Sequence, residues 1–216
     1  MITYIRNNYP AILDSLVKHL WLSLIPIVVG ALLALPVGFL AVRKRALYQP
    51  IVNLGGVIYS IPSLALFLLI PGIIGVGVLS PVNVLVGLSL YTLALLARTV
   101  ADALISVQGQ ATAAARAMGY RPLRQLVGVE LPMAVPVLFA GLRVATVANI
   151  SLVSVGALVG SGGLGNLFTS GFQLGFVEPI LIGIVLSMLL AGICDVGLVL
   201  LQRRLTPWAR QGGSRA

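Results

Sequence analysis

The sequence predicts an all-α, polytopic membrane protein with about five transmembrane helices. Three observations support this fold class: 59% of the 216 residues are hydrophobic, only 9% are charged, and the mean hydropathy is +1.08. A soluble domain carries roughly 25% charged residues, whereas about twenty apolar residues in a row span the hydrocarbon core as a helix. Such runs fill the chain, so we predict one transmembrane domain over residues 1–216, with its core at about 16–202.

The predicted spans are separated by basic or glycine-rich segments. Residues 1 to about 15 are mixed in character and are interpreted as an amphipathic or irregular lead-in. The spans follow at about residues 20–42, 51–71, 81–105, 133–159 and 179–201. Prolines inside the first two spans predict kinks, because proline removes a helical hydrogen bond. Segment 72–77 is interpreted as a connector, and Ser80-Pro81 as the capped start of the third span.

The distribution of basic residues predicts the orientation of the chain. If segment 43–45 is cytoplasmic, alternate crossings place segment 112–130 and the C-terminal tail on the same side. That side then carries Arg43, Lys44, Arg45, Arg116, Arg121, Arg124, Arg203, Arg204, Arg210 and Arg215, and the opposite side carries only Arg6 and Lys18. We therefore predict an external N-terminus and a cytoplasmic C-terminus. The formal net charge of +9 by itself would fit nucleic-acid binding, but most basic residues lie between the apolar runs, and this placement favours a role in orienting the chain in the membrane over binding of nucleic acid.

The sequence contains no pattern that indicates catalysis, a metal site or a nucleotide site. His19 is alone near the start of the first span and is interpreted as an interfacial residue. The single cysteine, Cys194, lies in an apolar run where packing is its expected role. No phosphate-binding Gly-x-x-x-x-Gly-Lys-Ser/Thr sequence is present. We expect no enzymatic activity and no cofactor in this chain, so any ATP that drives it binds to another chain.

Segment 112–132 is too polar to span a bilayer and too regular to be a linker. Strong helix formers occupy residues 113–118, and Gly119 follows where a residue with positive φ would close a helix. Pro122 suits the first turn of a second short helix, which we predict to end before Leu131. Two short helices with a glycine elbow predict a docking surface beside the membrane.

The spacing of this segment resembles the EAA loop of ABC-importer permeases. In that loop, Glu-Ala-Ala, a glycine, an aliphatic residue and Leu-Pro follow at fixed intervals, and Ala113 replaces the usual glutamate here. The replacement affects only the polar contact that a glutamate would make. The resemblance implies a coupling helix that sits in a groove of a cytoplasmic ATPase. The coupling residues would be Ala113, Ala114, Ala115, Arg116, Gly119, Tyr120, Leu131 and Pro132, with Val129 at the aliphatic position.

A second distinctive segment follows the fourth span. Its members are Gly160, Gly162, Gly163, Leu164 and Gly165. Glycines at this density do not favour a continued helix and permit tight turns. The residues alone allow either a flexible external loop or a re-entrant turn at the outer end of a translocation path. The segment resembles the Ile-Gly-Ala-Gly-Gly-Leu-Gly element of small permeases for osmoprotectants and methionine, and this resemblance favours a turn or gate.

Further segments, at 60–66, 114–120, 130–136 and 140–150, resemble the osmoprotectant branch of these permeases. The resemblance covers about residues 16–201 and implies a type I ABC importer (MetI-like) permease fold in a prokaryotic inner membrane. It also implies two copies of a cytoplasmic ABC ATPase that bind ATP and Mg, a second permease chain (identical or paralogous) and an extracytoplasmic binding protein. The cargo would be a compatible solute such as glycine betaine, choline or carnitine. Methionine or another small polar solute is the alternative cargo.

Ionisable residues inside the spans are candidates for a translocation path. A charge in hydrocarbon is costly unless it pairs with an opposite charge or faces a water-filled cavity. Arg98 and Asp102 lie four residues apart and can pair on one helix face, which favours a structural role. Asp195 lies midway along the fifth span, and its partner is not evident. The path candidates are therefore Arg98, Asp102, Asp195 and Tyr59. An anionic or aromatic lining would attract a quaternary ammonium ion through charge and cation–π contacts, and Tyr59, Tyr91, Trp21 and Asp195 could contribute to it.

The alternative from a different functional class is an ATP-independent secondary carrier or channel. Secondary carriers commonly contain inverted repeats around a site at the membrane midplane. We find no convincing internal repeat in the sequence, so we favour the importer subunit.

Overall fold

The chain folds into helices joined by short turns, as predicted. The computed structural model describes residues 1–210, and none of these residues forms a strand. Nine α-helices are present in this part of the chain: α1 Ile2–Arg43, α2 Arg45–Ser60, α3 Ser63–Ile74, α4 Pro81–Ser106, α5 Gln110–Ala117, α6 Pro122–Gln125, α7 Leu131–Val153, α8 Gly165–Leu174 and α9 Val177–Leu205. A π-helical turn, Leu126–Glu130, joins α6 to α7, and 3₁₀ helices occupy Ser154–Val159 and Pro207–Arg210. Arg215, which we assigned to the cytoplasmic side, lies outside the described residues.

Within residues 1–210, four helical stretches are long and apolar enough to cross a membrane. These are Ile2–Arg43, Pro81–Ser106, Pro122–Val159 and Val177–Leu205. If the bent pair formed by α2 and α3 counts as one further span, the described residues contain up to five spans. The predicted all-α, multi-pass architecture is therefore confirmed.

The lead-in to the first span, predicted as amphipathic or irregular, is a regular helix that continues into that span. Helix α1 starts at Ile2 and runs unbroken through Pro10, Pro26 and Pro36 to Arg43. Its 42 residues make a rod about 63 Å long, roughly twice the hydrocarbon thickness. Tertiary packing supports the polar first part, because Ile12 is buried in a cluster with residues of α8 and α9.

The predicted second span is two helices, not one kinked helix. Helices α2 and α3 meet at an angle of 103°. The break lies at Ile61-Pro62, where the backbone of both residues is extended, because proline disfavours helical geometry in the residue before it. The Tyr91 hydroxyl donates a hydrogen bond to the Ile61 carbonyl. Helix α3 continues to Ile74, so the connector begins only at Gly75, which has φ of +73°.

Helix α4 lies at the centre of the bundle, and its start is the predicted cap, with Ser80 accepting a hydrogen bond from the Val82 amide. Small residues let α1 approach it closely: a Cβ atom on Gly30 would lie 2.5 Å from Thr92 Cβ.

Helix α9 lies at the edge of the bundle, because only 6% of its most apolar 18-residue stretch is buried within the chain. An apolar helix exposed in this way lies against lipid or another chain.

Candidate functional site

The docking segment, residues 112–132, has the predicted helix–glycine–helix shape. Helix α5 ends at Ala117, and Gly119 follows with φ of +77°. The amide of Tyr120 donates to the carbonyl of Ala115 at 3.1 Å, which is the Schellman pattern that a left-handed glycine permits. Helix α6 then begins at Pro122. The chain therefore reverses sharply at Gly119.

The second short helix does not end before Leu131, and this part of the prediction was wrong. It passes through the π-helical turn Leu126–Glu130 into α7, so residues 122–159 form one stretch. Pro132 explains the turn, because proline has no amide to donate to a carbonyl one helical turn earlier, and a π-turn absorbs such an interruption. The second half of the docking segment and the fourth span therefore form one continuous helical stretch.

A buried polar network joins this segment to the end of α1. Glu130 is only 2% exposed. Its Oε1 accepts hydrogen bonds from Gln125 Nε2 at 2.5 Å and from Arg43 Nη2 at 3.3 Å. Arg43 Nη2 also lies 3.4 Å from the Pro122 carbonyl, and Arg116 Nε donates to Gln125 Oε1 at 3.4 Å. A buried carboxylate is costly unless it is paired, so this network holds α1, α5 and α6 in a defined arrangement.

Sequence reasoning missed this network. Arg43 and Arg116 were interpreted as charges that set orientation or coat a docking surface, and Glu130 was noted only as part of a resemblance. The signal that could have identified it was the single acidic residue of segment 112–132, placed beside an apolar span.

The docking segment presents a mixed exposed face. Ala113 and Ala114 are exposed, whereas Ala115 is buried against the rest of the chain. The exposed large apolar residues are Met118, Leu123 and Val127. The Arg124 guanidinium lies 4.8 Å from the centre of the Tyr120 ring. Exposed apolar groups ringed by arginines are typical of a protein interaction surface. Leu131 and Pro132 are half-buried at its base.

The glycine-rich segment is packed inside the protein. Gly162, Gly163, Leu164 and Gly165 are all buried, and only Gly160 is exposed. A Cβ atom on Gly162 would lie 2.3 Å from Ala157. The re-entrant interpretation required this placement, because irregular backbone in a membrane must be covered by protein or water. That the turn acts as a gate stays a prediction.

His19 is buried in contact with this turn, so its interpretation as an interfacial residue was wrong. None of its surface is exposed. Its Nε2 lies 2.9 Å from the Ile150 carbonyl oxygen, and its Nδ1 lies 3.1 Å from the Leu164 amide nitrogen. Sequence reasoning also missed α8, which is too short and too polar to resemble a span.

Asp195 has a partner that the sequence did not identify. Arg143 on α7 binds it with two hydrogen bonds, Nε to Oδ1 at 2.6 Å and Nη2 to Oδ2 at 2.7 Å. The two side chains are 39% and 28% exposed in the isolated chain. Two parallel hydrogen bonds are the strongest form of this pairing, so the pair fixes α7 against α9.

The remaining path candidates lie elsewhere. Arg98 Nε is 3.5 Å from Asp102 Oδ2, as the four-residue spacing predicted, with the side chains 66% and 46% exposed. The Tyr48 hydroxyl donates to Asp102 at 2.7 Å. Tyr59 is exposed, and its ring lies 5.4 Å from that of Tyr91. Of the four path candidates, only Arg98 and Asp102 contact each other, and a transport role for any of them stays a prediction.

Comparison with known proteins gives a consistent result. The family model described as "Binding-protein-dependent transport system inner membrane component" matches residues 26–207. The osmoprotectant import permease protein OsmW of Salmonella typhimurium strain LT2 is 35% identical over 211 residues, covering 95% of this chain and 97% of OsmW. The glycine betaine/carnitine/choline transport system permease protein OpuCD of Bacillus subtilis strain 168 is 31% identical over 213 residues, covering 98% of this chain and 92% of OpuCD.

Among solved structures, the inward-facing MetNI methionine ABC transporter has a TM-score of 0.79 and 23% identity, covering 90% of this chain and 96% of that one. This likeness shows the fold alone, and it confirms the predicted type I permease fold. Because the family model matches most of the sequence, the chain belongs to the family of inner membrane components of binding-protein-dependent transport systems.

Proposed function

We propose that this chain is the permease subunit of an ATP-driven importer of compatible solutes such as glycine betaine, choline or carnitine. Relatives that match along nearly their whole length are named for osmoprotectant, choline and carnitine transport. The chain would couple motion of an ATPase to alternating access across the membrane. An importer of methionine or another small polar solute would keep the same machinery and differ in its cargo.

The continuous stretch from Pro122 to Val159 is the observation that carries this proposal. One end of it forms the exposed docking segment, and the other end leads into the buried glycine-rich turn. An ATPase that pulls on the docking segment would therefore move the fourth span through one continuous helical stretch. The network around Glu130 would carry the same movement to Arg43 at the end of α1.

The proposed complex contains two copies of a cytoplasmic ABC ATPase, which bind ATP and Mg, and a second permease chain that is identical or paralogous. The exposed apolar residues of the docking segment fit a protein partner, and the exposed α9 offers a face for lipid or the second chain. An extracytoplasmic binding protein would capture the solute. The basic residues favour an external N-terminus and a cytoplasmic C-terminus.

Transport by vesicles that contain the chain with its neighbouring gene products tests the proposal. We would measure binding of radiolabelled choline, glycine betaine, carnitine and methionine to the adjacent binding protein, followed by uptake with and without ATP. ATP-dependent uptake of a quaternary amine supports the proposal. Binding of methionine alone would contradict the proposed cargo and leave the proposed ATP-driven importer unchanged. Uptake that is insensitive to ATP depletion, with no ATPase that co-purifies, would indicate a secondary carrier or channel.

A further inference from the structure

His19 joins three parts of the chain that are far apart in sequence. It lies on α1, 131 residues from Ile150 on α7 and 145 residues from Leu164 in the glycine-rich turn. A backbone amide can only donate, so the Leu164 amide donates to Nδ1 of the ring. A neutral imidazole then carries its proton on Nε2 and donates it to the Ile150 carbonyl. One uncharged side chain therefore satisfies both contacts.

The backbone of the turn packs so closely on both sides that it has no room for side chains at Gly163 and Gly165. Gly163 has φ of +52°, and a Cβ atom there would lie 2.6 Å from the Cα atom of His19. On the other side, a Cβ atom on Gly165 would lie 2.4 Å from the Ser154 carbonyl oxygen. The bare backbone of the turn is thus seated between α1 and the 3₁₀ helix that follows α7.

The Leu164 amide depends on His19 for an acceptor. Leu164 is the residue before the first turn of α8, and its own side chain is wholly buried. A helix leaves its first amides without intrahelical partners, and a buried amide without an acceptor is unfavourable. Loss of the imidazole would leave water as the replacement acceptor, and the turn would have to open to admit it.

We propose that His19 is a positioning residue that latches the glycine-rich turn against α1 and α7, so that the turn stays closed until α7 moves. The proposal rests on the proposed transport function, because it gives the turn the role of a gate. Ile150 lies near one end of the stretch that begins at Pro122 in the docking segment. Displacement of that stretch would therefore pull on the imidazole through the Ile150 contact and break the Leu164 hydrogen bond, which is the bond that holds the turn closed.

Three substitutions separate the latch from simple packing. His19→Asn places an amide oxygen where Nδ1 was, and can still accept from the Leu164 amide. His19→Gln places an amide nitrogen where Nε2 was, and keeps only the Ile150 contact. His19→Leu fills the space and keeps neither contact. The latch predicts that Asn preserves the closed turn and that Gln and Leu do not. Packing predicts the reverse, because Asn is the smallest of the three.

The rate at which a cysteine in the turn is labelled shows which variants open the turn. We would measure it on the intact complex in nanodiscs. The chain has one cysteine, so Cys194→Ser provides the background and Ser161→Cys provides the probe. Ser161 is half-buried, and its hydroxyl lies 3.3 Å from the Leu79 carbonyl. We expect a membrane-impermeant maleimide to label the probe about fivefold faster with His19→Gln, the change expected for loss of the Leu164 hydrogen bond alone, and at least as fast with His19→Leu, which loses both bonds. Labelling with His19→Asn should stay near the rate with His19.

Equal rates in all four proteins, or the fastest rate with His19→Asn, would overturn the latch. Hydrogen exchange gives a second measurement that needs no variant: the Leu164 amide should be strongly protected, and rapid exchange of this amide would also overturn the proposal. Neither measurement requires a cargo or ATP. If uptake proves independent of ATP, the proposed function fails, and the labelling order still decides whether His19 holds the turn.

Discussion

The charged side chains inside the predicted spans are paired where the structure describes them. Arg143 pairs with Asp195, Arg98 pairs with Asp102, and at the end of α1 Arg43 pairs with Glu130. Pairing reduces the cost of placing a charge at membrane depth. Of these charges, Glu130 is the most deeply buried, so we expect its removal to be the most damaging to stability.

Glu130→Ala should lower the free energy of unfolding by roughly 1–3 kcal/mol, because it leaves the buried Gln125 amide without its acceptor. Thermal unfolding of the purified chain in detergent would measure the loss. Glu130→Gln is the matched control, because it keeps an acceptor for Gln125 at nearly the same volume. Equal losses for the two variants would show that charge, and not the hydrogen bond, is what stabilises the network.

Gly119→Leu should uncouple ATP hydrolysis from uptake while the protein still inserts. A side chain in the left-handed conformation at φ of +77° costs roughly 1–2 kcal/mol, and no atom lies within 4 Å of the new Cβ. The substitution therefore distorts the elbow without a clash in the bundle. Gly109→Leu is the control, since that glycine is extended and open. Normal coupled transport by Gly119→Leu would count against the docking role.

At the scale of helices, close packing of α1 on α4 holds the bundle together. Gly30→Ala should lower stability by about 1–3 kcal/mol, the usual effect of overpacking, because the new Cβ would lie 2.5 Å from Thr92 Cβ. Gly192→Ala in α9 meets nothing within 4 Å and should leave stability unchanged or slightly raised. The midpoint of thermal unfolding compares the two. If Gly30→Ala matches Gly192→Ala, the close approach of the helices is not needed for stability.

The Arg143–Asp195 pair links α7 to α9, and a double-mutant cycle should show coupling between the two residues. Arg143→Leu alone leaves a carboxylate unpaired in an apolar setting, and Asp195→Leu alone leaves a guanidinium. The double variant replaces both with apolar groups and leaves no unpaired charge at membrane depth. We expect the monodisperse fraction on size-exclusion chromatography to fall in each single variant and to recover in the double variant. Additive losses would show that the pair does not hold the helices.

At the scale of the whole molecule, the orientation that the basic residues predict is open to a direct test. Alkaline phosphatase is active only outside the cytoplasm, so its activity reports where a fusion point lies. We expect no activity after fusion at residue 216 and high activity after fusion at residue 77, between α3 and α4. The opposite result at both positions would reverse the orientation, and with it the assignment of the docking segment to the ATPase side.

The sequence predicted the features that depend on local chemistry or on the membrane. Helical spans follow from apolar runs, since backbone groups in lipid must be satisfied within the helix. The elbow at Gly119 follows from the positive φ that glycine permits. Sequence reasoning failed at Ile61-Pro62, where a kink was expected and a 103° break occurs. How far a chain bends at proline depends on which neighbours hydrogen-bond to the backbone at the break. Here Tyr91, which donates to the Ile61 carbonyl, is remote in sequence.

The sequence by itself therefore determined the fold class, the positions of most spans and the shape of the docking segment. Tertiary structure alone decided which polar groups meet: Arg143 with Asp195, Arg43 with Glu130, and His19 with the glycine-rich turn. The physical reason is distance along the chain. Periodicity and turn chemistry act over a few residues, whereas these contacts join residues 52 to 145 positions apart and form only when the helices pack.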